Sequence, residues 1–123
     1  MAKKILIIED DPLMTKLYTD TLSQEKDKYE LTHALNGGDG LLKARTIVPD
    51  LIFLDIMMPR TNGLEVLDKL KVDPLTKKIP IVVLTNNASE GDQKYALEKG
   101  AIKYILKSKF DPQQMLFLVK SII

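Results

Sequence analysis

Three unbroken apolar runs constrain this chain more than any other feature: Ile5-Leu6-Ile7-Ile8, Leu51-Ile52-Phe53-Leu54 and Ile81-Val82-Val83-Leu84. Each is short and rich in leucine or β-branched residues, and none alternates polar with apolar. A strand with one wet face alternates, whereas a strand covered on both faces does not. These runs therefore predict the interior of a parallel sheet packed between two layers of helix. Two further strand candidates, Tyr29 to Ala34 and Ile102 to Leu106, are interrupted by polar residues and suit the sheet edges.

Helical patterns fill the gaps between the runs. Asp11-Pro12 and Asp111-Pro112 each offer an N-cap followed by a first-turn proline. After the first, Leu13, Leu17 and Tyr18 are expected on one face. After the second come Met115, Leu116, Val119 and Ile122. Gly37-Gly38 and Asn62-Gly63 introduce two more helices, the latter with Leu64, Leu67 and Leu70. Ser89 with Asp92 resembles a capping box, and Gly100 stands at a helix C-terminal position. Strand and helix thus alternate five times, which predicts an α/β, doubly wound (βα)5 fold. The expected sheet is five-stranded, parallel and ordered 2-1-3-4-5, with helices on both faces.

With 123 residues there is room for one domain of ordinary size, expected to occupy 1–123 with no output domain after the fifth helix. Seventeen acidic residues nearly cancel eighteen basic ones, so no bulk attraction to nucleic acid or anionic lipid is expected. The absence of cysteine excludes disulfides, thiol chemistry and thiolate-held metals, and a single histidine, His33, excludes a multi-histidine site. His33 itself reads as a surface residue of an edge strand. No apolar run is long enough to span a bilayer, and the start of the chain lacks a signal-peptide pattern, so the expected location is the cytoplasm.

In such sheets ligands sit beyond the carboxyl ends of the strands, near the point where the strand order reverses. There the first strand delivers Glu9, Asp10 and Asp11, the third Asp55, the fourth Thr85 and the fifth Lys107. Two unit charges about 5 Å apart repel by about 3 kcal/mol at an effective dielectric of about 20. Lys107 offsets part of this, and a divalent ion would offset more. An all-oxygen donor set points to Mg2+ rather than zinc or copper, and Mg2+ held by few protein ligands points to phosphoryl chemistry. Asp55 is then a metal ligand or also the nucleophile that becomes an aspartyl-phosphate. Thr85 and Lys107 would bind phosphoryl oxygens. Asp11, directly before Pro12, reads as the helix cap and is left out of the site. Asn36 to Gly40 resembles a dinucleotide loop, but Lys43 stands where that motif needs glycine, so it reads as a turn and helix start.

Taken in order, the segments Ile5 to Asp11, Pro49 to Pro59, Asn62-Gly63, Pro80 to Thr85, Gly100-Ala101 and Tyr104 to Lys107 resemble the response-regulator receiver domain of two-component signalling, in its stand-alone form. The resemblance covers essentially the whole chain. It implies a phosphorylation-dependent signalling switch, not an enzyme acting on free substrate, that accepts a phosphoryl group from a phosphohistidine onto Asp55 with Mg2+. Glu9, Asp10, Asp55 and the carbonyl of Met57 would hold the metal, Asp10 directly and Glu9 through water. Lys107 would bridge the acids and then the phosphoryl group. Thr85 and Tyr104 would be the switch pair, although Tyr104 equally fits an ordinary edge-strand aromatic. The signal would leave through the face made by the fourth helix, fifth strand and fifth helix. The implied partners are a sensor histidine kinase or phosphotransfer domain and a downstream protein target. The broad apolar surface of the last helix fits either a core helix with a greasy end or a contact with a partner, including a homodimer.

Two positions depart from the family pattern. Ser108 replaces the usual proline after Lys107, so a trans bond is expected there. Asn86 replaces a small residue after Thr85, which would narrow phosphodonor access. Two other functions compete with this reading. A Mg2+-dependent phosphatase would want a second acid two residues after the nucleophile, where Met57 stands. A receiver that binds its partner without phosphorylation would not need the complete set Glu9, Asp10, Asp55, Thr85 and Lys107.

Overall fold

The computed structural model describes residues 2–123. β1 (Lys3–Ile8), α1 (Pro12–Leu22), β2 (Tyr29–Ala34), α2 (Gly37–Ile47) and β3 (Leu51–Leu54) come first. A small antiparallel ribbon of β4 (Met57–Met58) and β5 (Thr61–Asn62) follows, then α3 (Gly63–Val72), β6 (Ile81–Thr85), α4 (Glu90–Glu98), β7 (Lys103–Leu106) and α5 (Pro112–Ile122). The main sheet is parallel and ordered β2-β1-β3-β6-β7, with the two interrupted strands at its edges. The doubly wound arrangement read from the sequence is the one observed. The ribbon is an addition that the apolar pattern did not announce.

Why the central runs are unbroken is visible in how their side chains divide. Leu6, Ile8, Ile52, Leu54, Ile81 and Val83 point to one face of the sheet, where they meet Ala44 of α2, Val66, Leu67 and Leu70 of α3, and Ala96 of α4. Ile5, Ile7, Leu51, Phe53, Val82 and Leu84 point to the other, against Tyr18 and Leu22 of α1 and Met115 and Val119 of α5. Successive strand residues alternate faces, and both faces are dry, so every position is apolar. Burying each such side chain is worth about 1.5–3 kcal/mol.

The phase of α1 differs in part from the expectation: Tyr18 is buried as expected, but the two leucines are not. Leu13 is 77% exposed and Leu17 is exposed too; the buried face is Thr15, Tyr18, Thr21 and Leu22. Tyr18 brings a larger apolar surface to the sheet than either leucine. The Thr21 hydroxyl is satisfied by donating to the Leu17 carbonyl (2.8 Å), so its burial carries little penalty. The α5 signal holds in full: Asp111 and Gln114 form a reciprocal capping box, Met115 and Val119 are buried, and Leu116 and Ile122 are half-buried. Phe117, at 79% exposed, is the outward residue of that helix. Gly100 has φ of 110°, a left-handed position just past α4 that a side chain resists. The Lys107–Ser108 bond is trans, as expected, within a single 3-10 turn (Lys107–Lys109).

Gly63, where the ribbon becomes α3, is set against the backbone of Ile56. A Cβ there would sit 2.2 Å from Ile56 Cα and 2.9 Å from its carbonyl carbon. Backbone cannot step aside as a side chain can. Gly63→Ala is therefore expected to lower stability by about 3 kcal/mol, the upper part of the range for overpacking. Urea unfolding measures it; a loss below about 1 kcal/mol would mean that the ribbon gives way freely.

Candidate functional site

The carboxyl ends of β1 and β3 lie side by side because the two strands pair in parallel with Ile8 opposite Leu54. The next residue on each strand is acidic: Glu9 and Asp55. The backbone continues the pairing there, since the Asp55 N–H donates to the Ile8 carbonyl (3.0 Å) and the Glu9 N–H to the Ala34 carbonyl (3.0 Å). Two buried carboxylates on neighbouring strands are thus imposed by register, not by local preference. Asp10 follows on the solvent side, and carboxylate oxygens of Glu9, Asp10 and Asp55 all lie within 4.8 Å of one another.

Lys107, one residue beyond β7, reaches into the same pocket. Its Nζ donates to both oxygens of Glu9 (2.8 and 2.6 Å) and to Asp55 Oδ2 (2.7 Å). The other Asp55 oxygen, Oδ1, accepts from the Met57 N–H (2.8 Å). One ammonium therefore faces three carboxylates, two of them buried, and the site carries excess negative charge. Burial pushes the Glu9 carboxyl up from 4.5 to about 7; the Asp55 charge adds to this, while the hydrogen bonds from Lys107 oppose it. Burial would lower the Lys107 ammonium, but its bonds to Asp55 and Glu9 outweigh that and hold it above its ordinary value. Tyr18, buried beneath the pocket, has its phenol pushed up by burial and by the charges of Glu9, Asp55 and Asp11. Asp11 stays outside the cluster, as expected, and caps α1 by accepting from the Leu13 N–H (2.9 Å).

The residues fit a hard divalent ion. Three carboxylates with, among the described residues, one cationic partner leave a charge that a dication would neutralise, and the donor set is all oxygen. Met57 offers its backbone to this region, while its side chain is 56% exposed and apolar.

Thr85 ends β6 and is buried. Its hydroxyl accepts from the Asn87 N–H (3.3 Å). Tyr104 on β7 packs its ring against the core beside α4 and donates its hydroxyl to the Asn87 carbonyl (2.7 Å). The expected capping box of α4 is only half present. Ser89 Oγ accepts from the Asp92 N–H (3.2 Å), but the Asp92 carboxylate turns to Asn87 Nδ2 (2.6 Å), and the Ser89 N–H goes to Asn87 Oδ1 (2.9 Å). Asn87 thus takes the place that Asp92 was expected to fill. Three of its partners, Thr85, Ser89 and Asp92, lie within five residues of it, and only Tyr104 is distant in the chain. Asn86 is exposed, and His33 is exposed on β2.

Residues 5–120 match the family model for the response regulator receiver domain. Protein PilH of Pseudomonas aeruginosa is 33% identical over 120 residues, which cover 98% of this chain and 97% of PilH. The match spans 85% of the polar-differentiation response regulator DivK of Brucella anthropi at 38% identity, but only 23% of response regulator PleD of Caulobacter vibrioides and 49% of the regulatory protein PhoP of Bacillus subtilis. Among solved structures, the CheY-like receiver domain protein from Methanospirillum hungatei JF-1 superposes with a TM-score of 0.89 at 30% identity, covering 98% of this chain and 93% of that one. The Mn(2+)-bound form of response regulator Rcp1 superposes with a TM-score of 0.82 at 30% identity, covering 97% and 92%.

Proposed function

The chain belongs to the response regulator receiver domain family, and from that membership we propose that residues 1–123 form one receiver domain that is phosphorylated on Asp55. The observation that carries this reading is the buried Asp55 carboxylate, held by Lys107 on one oxygen and by the Met57 N–H on the other, beside a second acid pair. Asp55 attacks the phosphorus of a phosphohistidine on a sensor kinase or phosphotransfer domain. An Asp55 O–P bond forms, the P–N bond breaks, and the histidine nitrogen keeps the electron pair. Glu9, Asp10, Asp55 and the Met57 carbonyl would hold Mg2+, which would supply positive charge for the transferring phosphoryl oxygens. Lys107 is already charged and aimed at Asp55, so it stabilises the same oxygens without rearrangement. Thr85 then donates its hydroxyl to the phosphoryl group, and Tyr104 follows. The signal leaves toward a protein target through α4, β7 and α5.

Titration of Glu9 sets the pH dependence of metal binding. Its folded pKa of about 7 lies above 4.5, so the folded metal-free chain holds this proton more tightly than the unfolded chain. That contribution to stability is complete below pH 4.5 and is lost as the pH rises through 7. A dication competes with the proton. Mg2+ affinity is therefore expected to rise by up to about tenfold per pH unit between pH 5 and 7, and to level off above pH 7. Calorimetric titration with Mg2+ at pH 5.5, 6.5, 7.5 and 8.5 measures this; an affinity that is flat from 5.5 to 7.5 would contradict it.

Intact-mass measurement after incubation with Mg2+ and a small phosphodonor tests the whole proposal. Turnover of many free phosphate esters would instead favour a phosphatase, for which the apolar side chain of Met57 supplies no second acid.

A further inference from the structure

The near balance of charge in the sequence does not reveal where the fold puts it. In a parallel sheet with a helix after each strand, the strands begin and the helices end on one rim, opposite the rim that carries Asp55. The first of these rims is built from residues 2–4, 19–29, 44–51, 69–81, 95–103 and 119–123: the start of the chain, the last turn of each helix and the segment leading into the next strand. It holds twelve of the eighteen basic residues but six of the seventeen acidic ones, so the rest of the chain is acidic on balance. We infer that this basic rim docks on an anionic lipid bilayer.

Two effects could cancel the excess of six positive charges, and neither does. Each helix C-terminus carries about half a negative charge, so the five on this rim offset less than half of it. The acidic rim lies the length of a six-residue strand away, about 20 Å. That is more than twice the screening length of about 8 Å at physiological ionic strength. A flat anionic surface therefore feels the nearer rim and not the net charge of +1.

The side chains on the rim favour lipid over other anions. Lys3, Lys4, Lys77, Lys78 and Lys103 are exposed and, among the described residues, pair with no carboxylate. Lysine is a flexible point charge without the fixed fork that arginine offers a single phosphate. Helix C-termini also repel a discrete anion close to the backbone. The attraction is thus diffuse. Exposed aliphatic side chains stand among these cations. Val48 lines one cavity with Lys3 and Lys4. Val72, 76% exposed, and Leu75, 52% exposed, flank Asp73, which binds Arg45 (2.8 Å). A nucleic acid backbone gives such groups nothing apolar to bury against, whereas the boundary between lipid headgroups and acyl chains does. Docking by this rim leaves Asp55 facing the solution.

The test is sedimentation of the full chain with vesicles of phosphatidylcholine, with and without an equal part of phosphatidylglycerol. Binding is expected to the mixed vesicles and not to pure phosphatidylcholine, and it should fall steeply as salt is added. Lys77→Glu combined with Lys78→Glu should weaken it by about tenfold or more. Leu75→Ser should weaken it by about threefold. Lys94→Glu combined with Lys109→Glu changes the net charge equally but outside this rim, and should weaken binding by about twofold at most. All four lysines are exposed, so the variants are expected to fold, which urea unfolding checks. No binding to the mixed vesicles at low salt, or an equal loss in the two lysine pairs, overturns the inference. Equal binding to duplex DNA or to polyglutamate, with no effect of Leu75→Ser, would show a face for polyanions in general and overturns the assignment to lipid.

Discussion

Asp55→Asn is expected to abolish phosphoryl uptake completely while leaving the chain folded. A carboxamide oxygen is neutral and a poor nucleophile, so the O–P bond does not form. The substitution is nearly isosteric. Its amide oxygen can still accept from the Met57 N–H, and Lys107 keeps both oxygens of Glu9. The bond from Lys107 to this side chain is lost, but removing one of the two buried carboxylates relieves the repulsion that raises Glu9, so the net change in stability is expected to be small. Intact mass after incubation with a small phosphodonor and Mg2+ should show one added phosphoryl group on the wild type and none on the variant. Urea unfolding of both confirms that the fold is retained. Equal uptake by the two proteins would mean that another residue is the acceptor.

Lys107→Met carries the largest expected cost in stability. It keeps the length of the side chain but removes the one ammonium that, among the described residues, is bound to Glu9 and Asp55. Breaking a buried ion pair by removing one partner typically costs about 3–5 kcal/mol, because the other charge is left uncompensated. The loss should approach this range at pH 8 without divalent ions. It should shrink as the pH falls, because Glu9, freed of the lowering influence of Lys107, takes up a proton more readily and the uncompensated charge falls. Adding Mg2+ should also restore stability, since an ion at 100 times its dissociation constant contributes about 2.7 kcal/mol. Urea unfolding at pH 6 and pH 8, with and without Mg2+, measures all three effects. A loss under about 1 kcal/mol at pH 8 without metal would show that the acids do not depend on Lys107.

The two carboxylates and the lysine were legible because each stands directly after an apolar run, and a run buried on both faces is hard to mistake. Ile8, Leu54 and Leu106 locate the strand ends, so Glu9, Asp55 and Lys107 fall on one rim whatever the loops do. The caps Asp11 and Asp111 were legible for a similar reason: cap and helix are adjacent in the chain, and their hydrogen bonds span two or three residues. Where the pattern was weaker, the reading was too. In α1, Tyr18 faces the core as its pattern suggests, but the exposed Leu13 and Leu17 do not, and two threonines that carry no apolar signal join Leu22 on the buried face instead.

The chain's own order of residues decided the layers, the parallel sheet, its edges and the residue types at the rim, since these follow from periodicity and from which side chains must leave water. Only the tertiary structure decided what those rim groups do to one another. That Lys107 reaches Glu9 across 98 positions and Asp55 across 52 depends on closing the sheet. So does the bond from the Tyr104 hydroxyl to the Asn87 carbonyl, across 17 positions. Such contacts carry no local signature, because their strength depends on burial and on distances between segments that are remote in the chain.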